Sequence, residues 1–530
     1  MLQTIRARRG MVSSSHHLAA ESGLRILREG GNAVEAMVSA AATISVVYPH
    51  MNGLGGDGFW LISEPGRRVP IAINAIGAAA ARATADTYRA AGHETIPVRG
   101  ALAANTVAGT VSGWQRALAL SEAWGGRMPL ERLLEDAIHH AETGFPVSDS
   151  QHANTLAKRA ELGDVPGWAD TFLHDGEVPA PGALFKQPAL AGTLKRLASA
   201  GLDDFYRGGL ARRIDADLAR IDSLVTGDDY ARQRAVVSEP LSVRLRGASV
   251  YNVTPPSQGL ASLIILALFD RMRCEQAESF AHVHGVVEAT KQAILVRNAR
   301  VTDPAYMDVD PAQLLDDAAL DELAARIDPR RALPWGPPSA RGDTVWLGAV
   351  DSEGRAVSFI HSIYWEFGSG VVLRDTGIQC QNRGSSFSLD PQAQNHLLPG
   401  RLPFHTNNPA LALLDDGRVL VYGAMGGDGQ PQTQAALFTR YAMFDSGLQE
   451  AVTAPRWVLS RTWGEERSDL RMERRFDDAL VGALEAAGHA VTLVDEFDEV
   501  MGHAGAIALH PSGLIEGATD PRSCGAVAAY

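Results

Sequence analysis

Cysteine is scarce in this chain. Cys274, Cys380 and Cys524 stand far apart among 530 residues, which excludes a disulfide framework or a CxxC metal site and points to a reducing compartment. Lysine is scarce too: Lys158, Lys186, Lys195 and Lys291 are the only ones among 48 basic residues, so nearly all positive charge is arginine. Arginine suits planar carboxylate recognition, although genome composition explains such a bias first. Positive charge itself is in deficit, since 48 basic residues against 62 acidic ones leave −14. That balance argues against nucleic acid or an anionic membrane as a partner, while leaving room for a local basic pocket. Long apolar runs are missing as well. The stretch from Ala33 to Tyr48 contains Glu35 and is too short to span a bilayer, and the start Met1-Leu2-Gln3-Thr4-Ile5-Arg6 lacks the basic-then-apolar pattern of a secretory signal. A cytoplasmic protein is expected.

What is present is enough to fold. With 45% hydrophobic and 21% charged residues the chain can bury a large core, as three or four domains or as one layered architecture. Apolar positions recur at helical spacing from Leu18 to Leu27, Gly30-Gly31-Asn32 stops that run, and a small-residue helix opens at Ala33. Gly53-Leu54-Gly55-Gly56-Asp57-Gly58 matches G-x-G-x-x-G in form, but it follows a helix and leads into the strand-like Phe59–Ser63, the reverse of a dinucleotide site. A turn with close backbone packing is the expectation. From about Ala117 to Leu333 the pattern is mostly helical, including Leu130–Thr143 and Leu190–Ala200. His284 and Glu288 lie one helical turn apart near His282, yet no third ligand is in sight, so these read as packing residues rather than a metal site.

The texture then changes. Between Asp328 and Arg341 the residues Pro329, Pro334, Gly336, Pro337 and Pro338 cannot continue a helix and read as an exposed connector. Beyond it Thr344–Val350 and Ala356–Tyr364 flank the turn Asp351-Ser352-Glu353-Gly354, and the coincidence of turn chemistry with β-branched runs predicts a hairpin. Further strands are expected at Ala410–Leu414, Val419–Tyr422, Ala504–His510 and Gly513–Gly517.

At this boundary the sequence resembles a known family. Gly342-Asp343-Thr344 ahead of the hairpin resembles the processing site of the gamma-glutamyltranspeptidase family of N-terminal nucleophile (Ntn) hydrolases. Other markers follow in the family's order over nearly the whole chain: Gly30–Ala36, Gly53–Phe59, Val107–Gly113, Ser257-Gln258-Gly259, Gly368-Ser369-Gly370, Gly426-Gly427 and Asp520–Ser523. The resemblance implies an α+β fold, a four-layer αββα sandwich, made as a precursor that cuts itself before Thr344. Residues 1–343 would form a helix-rich large fragment and 344–530 a strand-rich small one, associated as a heterodimer that could dimerise further. No metal or cofactor is implied. A threonine hydroxyl is a poor nucleophile by itself, but the α-amine freed by cleavage, with a reference pKa of about 7.7–8.0, can serve as its base. By the same resemblance Ser362 orients the nucleophile, and Gly426 and Gly427 supply oxyanion-hole amides.

Substrate recognition departs from the family pattern. Gamma-glutamyl enzymes hold the α-carboxylate with an arginine where this chain has Asn74, and the α-ammonium with an acid where it has Ser386. His405 and Thr406 replace two assisting hydroxyls, and Tyr364 replaces an asparagine. A zwitterionic glutamyl head would lose two charged hydrogen bonds, each worth about 1.5–3 kcal/mol. Tyr364, Trp365 and Trp346 suggest a smaller, aromatic-walled pocket, with packing as the competing explanation for the tryptophans. The combination is similar to the branch of the family that hydrolyses oxamate to oxalate and ammonia in purine catabolism, with Arg383 or His405 receiving the small carboxylate. A gamma-glutamyltransferase or glutathione hydrolase, an acylase for bulkier amides, and an uncleaved binding homologue remain the alternatives.

Overall fold

The computed structural model describes residues 2–336, 343–459 and 468–530. Two seven-stranded sheets lie face to face. The first runs in the order Ala526–Ala529, Met11–Ser14, Asp343–Val350, Ala356–Tyr364, Asp57–Ser63, Ile71–Ala75, Val236–Ser238. The second runs Ile5–Ala7, Ile515–Thr519, Ala504–Leu509, Val419–Ala424, Ala410–Leu414, Ala248–Asn252, Leu241–Leu245. Phe59, Leu61 and Ile360 from the first sheet meet Leu411, Val421 and Ile507 from the second in an apolar layer between them. Helices cover both outer faces. His17–Arg28 and Ala33–Val47 pack on the first sheet through residues such as Met37 and Ile44, and Gly259–Met272, Phe280–Arg300 and Gly429–Phe438 pack on the second through Leu263, Val286 and Leu437. The result is the αββα sandwich expected from the sequence, because each sheet must bury both of its faces.

The local reasons are ordinary chemistry. Asn32 caps the helix Ala33–Val47 by accepting from Val34 and Glu35 N–H, while Glu35 reaches back to Asn32 N–H at 2.8 Å. The helix is buried on every side, which its run of alanine and serine permits. The hairpin of Asp343–Val350 with Ala356–Tyr364 closes through Asp351, whose Oδ1 accepts from Glu353 and Arg355 N–H. Its Oδ2 accepts from Ala33 N–H at 3.0 Å, tying the hairpin to the start of that helix.

Two expectations need correction. The region read as mostly helical contains the hairpin Leu241–Leu245 and Ala248–Asn252, which forms the edge of the second sheet. Its Leu241, Val243 and Leu245 alternate buried with exposed Ser242 and Arg244, but five residues of alternation are a short signal beside long helices. Trp346 does not wall a pocket. Its indole spans the gap between the sheets, where a Cβ on Gly423 or Gly505 would lie 2.1 or 2.4 Å from the ring, and its Nε1 donates to Ser358 Oγ at 3.0 Å.

A division before Thr344 separates the sequence without separating the core. Asp343–Val350 pairs with Met11–Ser14, and Ala356–Tyr364 pairs with Asp57–Ser63. Ala410–Leu414 pairs with Ala248–Asn252 in the other sheet. Gly342 and residues 337–341 of the connector lie outside the described residues, and the connector's Asp328–Arg331 is exposed. Among the described residues no helix is long and apolar enough to cross a membrane.

Candidate active site

Thr344 is fully buried near the start of its strand. Its Oγ1 donates to Asn407 Oδ1 at 3.1 Å and accepts from Gln430 Nε2 at 3.1 Å. Gln430 sits in the first turn of the helix Gly429–Phe438, and its Oε1 accepts from Asn408 Nδ2 at 3.0 Å, which fixes the amide so that its NH₂ end points at the threonine. Neither Asn407 nor Gln430 was anticipated; the one sequence signal was their closeness to Thr406 and to Gly426-Gly427.

The strand opposite is irregular where it passes Thr344. Asp343 pairs with Tyr364 and Val345 with His361, so Ser362 and Ile363 face a single residue. Such an irregularity re-aims side chains. Ser362 Oγ accepts from Tyr364 N–H at 2.8 Å, and Tyr364 takes φ +84, a conformation costly outside glycine. Its ring then lies 4.0 Å from the guanidinium carbon of Arg383.

Gly426 and Gly427 form the turn between Val419–Ala424 and the helix of Gln430, at φ +115 and +51. Their carbonyls accept from Gly429 N–H, from Gln430 N–H and from Gln258 Nε2. Their own N–H groups have no acceptor among the described residues, the arrangement an oxyanion hole requires. Behind the turn, Arg297 Nη1 bonds Gln258 Oε1 at 2.8 Å and Asp428 Oδ1 at 2.5 Å. The Ser257-Gln258-Gly259 motif therefore serves as a strut for this turn.

Arg383 is the cation of the site. It is fully buried, donates to Thr406 Oγ1 and Ser362 Oγ at 3.3 Å each, and leaves Nε without a partner. Among the described residues no carboxylate lies within ion-pair distance of it. Burial pulls its pKa down to about 10, so it remains charged at neutral pH. Around it, His405 Nδ1 and Nε2, Asp57 Oδ2, Gln381 Oε1 and Asn407 Nδ2 are also buried without hydrogen-bond partners. Buried polar groups in a finished interior are nearly always satisfied. This concentration of donors and acceptors around one guanidinium fits a small polar anion.

Asp57 comes from the glycine-rich turn. A Cβ on Gly55 would lie 1.9 Å from Gln379 O, and one on Gly56 2.2 Å from Ser362 O, so the motif is the close-packed turn expected and its glycines bring Asp57 against the hairpin that carries Thr344 and Ser362. Asn74 and Ser386 are differently placed. Asn74 Nδ2 bonds Ser238 Oγ and Thr254 Oγ1, and Phe59, its cross-strand partner, packs on His405. Ser386 Oγ donates to Phe404 O at 3.4 Å. Thr344, Ser362, Tyr364, Arg383, Thr406 and the glycine turn are thus brought together, with His405 beside them, whereas the hydrogen bonds of Asn74 Nδ2 and Ser386 Oγ lead elsewhere. Trp365 stacks under Arg99, 5.4 Å from its ring.

The metal question also changes. His489 supplies the third group that the sequence did not reveal, with ligand atoms of His284, Glu288 and His489 within 4.8 Å of one another. Glu288, however, is engaged by Lys291 Nζ at 2.7 Å and by Leu333 N–H at 3.1 Å, and an ammonium beside the carboxylate opposes a second cation.

The gamma-glutamyltranspeptidase family model matches residues 19–530. The chain belongs to this family. It is 56% identical over 522 residues to the oxamate amidohydrolase proenzyme of Klebsiella pneumoniae subsp. pneumoniae, covering 98% of each chain. It is 42% identical to the glutathione hydrolase-like YwrD proenzyme of Bacillus subtilis, covering 97% of each. Among solved structures, the cephalosporin acylase of Bacillus halodurans superposes with a TM-score of 0.92 at 33% identity, over 100% of this chain and 97% of that one. Family membership makes this protein an Ntn-type amidohydrolase.

Proposed function

We propose that the chain cuts itself between Asp343 and Thr344 and then hydrolyses a small carboxylated amide, oxamate, to oxalate and ammonia in the cytoplasm, as a step of purine catabolism. The observation that carries the substrate reading is Arg383, a buried guanidinium without an acid partner among the described residues, inside a cluster of unsatisfied polar atoms. An anion docking there gains a charge-assisted pair that none of the described residues supplies. The 56% identity to a named oxamate amidohydrolase proenzyme supports the same substrate. The three free cysteines agree with a reducing compartment.

In this reading Thr344 Oγ attacks the carboxamide carbon while its proton passes to the freed α-amine. The oxyanion is stabilised by the Gly426 and Gly427 N–H groups. Collapse expels ammonia, which takes the proton, and leaves an oxalyl ester on Thr344. Water, deprotonated by the same amine, hydrolyses the ester and restores the hydroxyl. Asn407 and Gln430 hold the hydroxyl in line, and Ser362 keeps Tyr364 and Arg383 in place. The two fragments remain together as a heterodimer, since strands of both interleave in each sheet.

Intact-mass measurement with an ammonia-release assay tests the proposal. Wild-type protein should appear as two fragments divided before Thr344 and release ammonia from oxamate faster than from glutamine or glutathione, while Thr344→Ala stays a single inactive chain. An intact, fully active wild-type chain would overturn the mechanism. Glutathione outcompeting oxamate in kcat/KM would replace the substrate with that of the glutathione hydrolases.

A further inference from the structure

We infer that Asp57 and His405 form a proton-accepting pair that takes up one proton whenever a substrate carboxylate docks on Arg383, so that the buried site admits monoanions without changing its net charge and rejects dianions. The inference rests on the reading of Arg383 as the carboxylate holder. It assigns Asp57, which the family resemblance leaves without a role, as a specificity-determining residue.

The geometry places the pair at the nucleophile hairpin. Asp57 is the cross-strand partner of Ser362, and directly paired residues project to the same face of a sheet. Asp57 Oδ1 accepts from Gly77 N–H and Gly109 N–H, each at 2.9 Å, which locks the carboxyl orientation in either protonation state. Oδ2 then lies 3.1 Å from His405 Nε2. Both residues are fully buried, and Oδ2 and both ring nitrogens lack a satisfied hydrogen bond. A carboxyl oxygen and an imidazole nitrogen thus approach each other without the alignment of a hydrogen bond, and each is left with room to take a proton.

The surrounding charges are few. Arg383 is the cation that faces the pair, with the Tyr364 ring over it. Gln381 approaches Asp57, and the Tyr206 and Tyr230 phenols feel its charge from the helical side. His361 neighbours Ser362 in the strand but projects to the other face, where its Nε2 bonds Gly53 O. With Asp57 ionised, it and Arg383 cancel. A carboxylate entering then leaves one uncompensated negative charge in a buried space, which is costly. One proton from solvent on the pair restores neutrality and returns to solvent when the ligand leaves. Oxalate, a dianion, still exceeds the site by one charge, so the same device favours product release. Burial pushes the Asp57 carboxyl up to about 7 and holds the His405 imidazole well below its ordinary value, with the Arg383 charge adding to the effect. Uptake therefore begins to be required near neutrality.

The sign follows directly. Below neutrality the pair already carries its proton and binding is independent of pH; above it each bound anion must draw one from solution, and apparent affinity falls about tenfold per pH unit. The Thr344 α-amine also titrates, but it governs attack and hence kcat. The test is therefore KM for oxamate and Ki for acetate, an unreactive monoanion, on the mature enzyme from pH 6 to 9. Both should be flat at low pH and rise about tenfold per unit well above neutrality, and Asp57→Asn should flatten both. A flat wild-type profile, or the same slope in Asp57→Asn, overturns the inference. Should Asp57→Asn fail to fold, calorimetric titration of wild type with acetate at pH 8, in two buffers of different ionisation enthalpy, should show close to one proton taken up, and no uptake overturns it. Arg383→Met separates the two readings. If it raises KM while the wild-type profile is flat, only this inference fails; if KM does not move, the carboxylate reading itself fails.

Discussion

Arg297 and Arg383 are both buried and live in contrasting company. Arg297 is saturated: Gln258, Asn298 and Asp428 take its N–H groups, with the Asp428 oxygen 2.5 Å away. Arg383 has two 3.3 Å bonds to hydroxyls and an idle Nε. A buried charge that is fully paired holds a structure together, whereas one left short of partners is held by the structure for something that arrives later. The difference teaches how to sort buried cations into struts and receptors by counting acceptors.

That contrast breaks or sharpens by mutation. Arg297→Met strands the Asp428 carboxylate and should cost about 3–5 kcal/mol of stability, read as a lowered urea midpoint together with loss of self-cleavage. Arg383→Met should leave the midpoint unchanged or raised while lowering kcat/KM for oxamate about 10–100-fold, the loss of one charged hydrogen-bonded contact. If both variants lose stability alike, the distinction collapses. Ser362→Ala removes the acceptor for Tyr364 N–H and one hydroxyl partner of Arg383, so a fall of about tenfold in turnover is expected, with fragment ratios on a denaturing gel showing whether cleavage slows in step. The smallest effect is expected from the double substitution Asn74→Arg with Ser386→Asp. Because the recorded bonds of Asn74 run to Ser238 and Thr254, glutathione turnover should stay at background, and a clear gain in glutathione kcat/KM would place Asn74 in the recognition site after all.

The sequence carried the fold well wherever a pattern was long or repeated. Leu130–Thr143, Ala356–Tyr364 and Ala410–Leu414 run between the residues expected, since helical periodicity, β-branched alternation and turn chemistry agreed there. The short hairpin from Leu241 to Asn252 was hidden among helices, its register decided by Ala410–Leu414 more than 150 residues on. At the candidate site, residues belonging to ordered motifs could be named from the sequence: Thr344, Ser362, Gly426 and Gly427. Asn407, Gln430 and Asp57 were not, because their meaning depends on which atom faces which across strands distant in sequence. His489 beside His284 was invisible for the same reason.

The interleaved strands also give the chain a direction in time. An uncut precursor can unfold and refold as a single molecule, with the strand beginning at Asp343 finding Met11–Ser14 along its own tether. If the peptide bond before Thr344 is cut as proposed, the same pairing must be found by two separate molecules, and recovery becomes second order in protein. Dilution that leaves the precursor untouched would then strand the cut protein in its unfolded state, so the persistence of the mature form rests on its rate of unfolding rather than on its equilibrium. The proposed cleavage would convert a reversible fold into a one-way assembly.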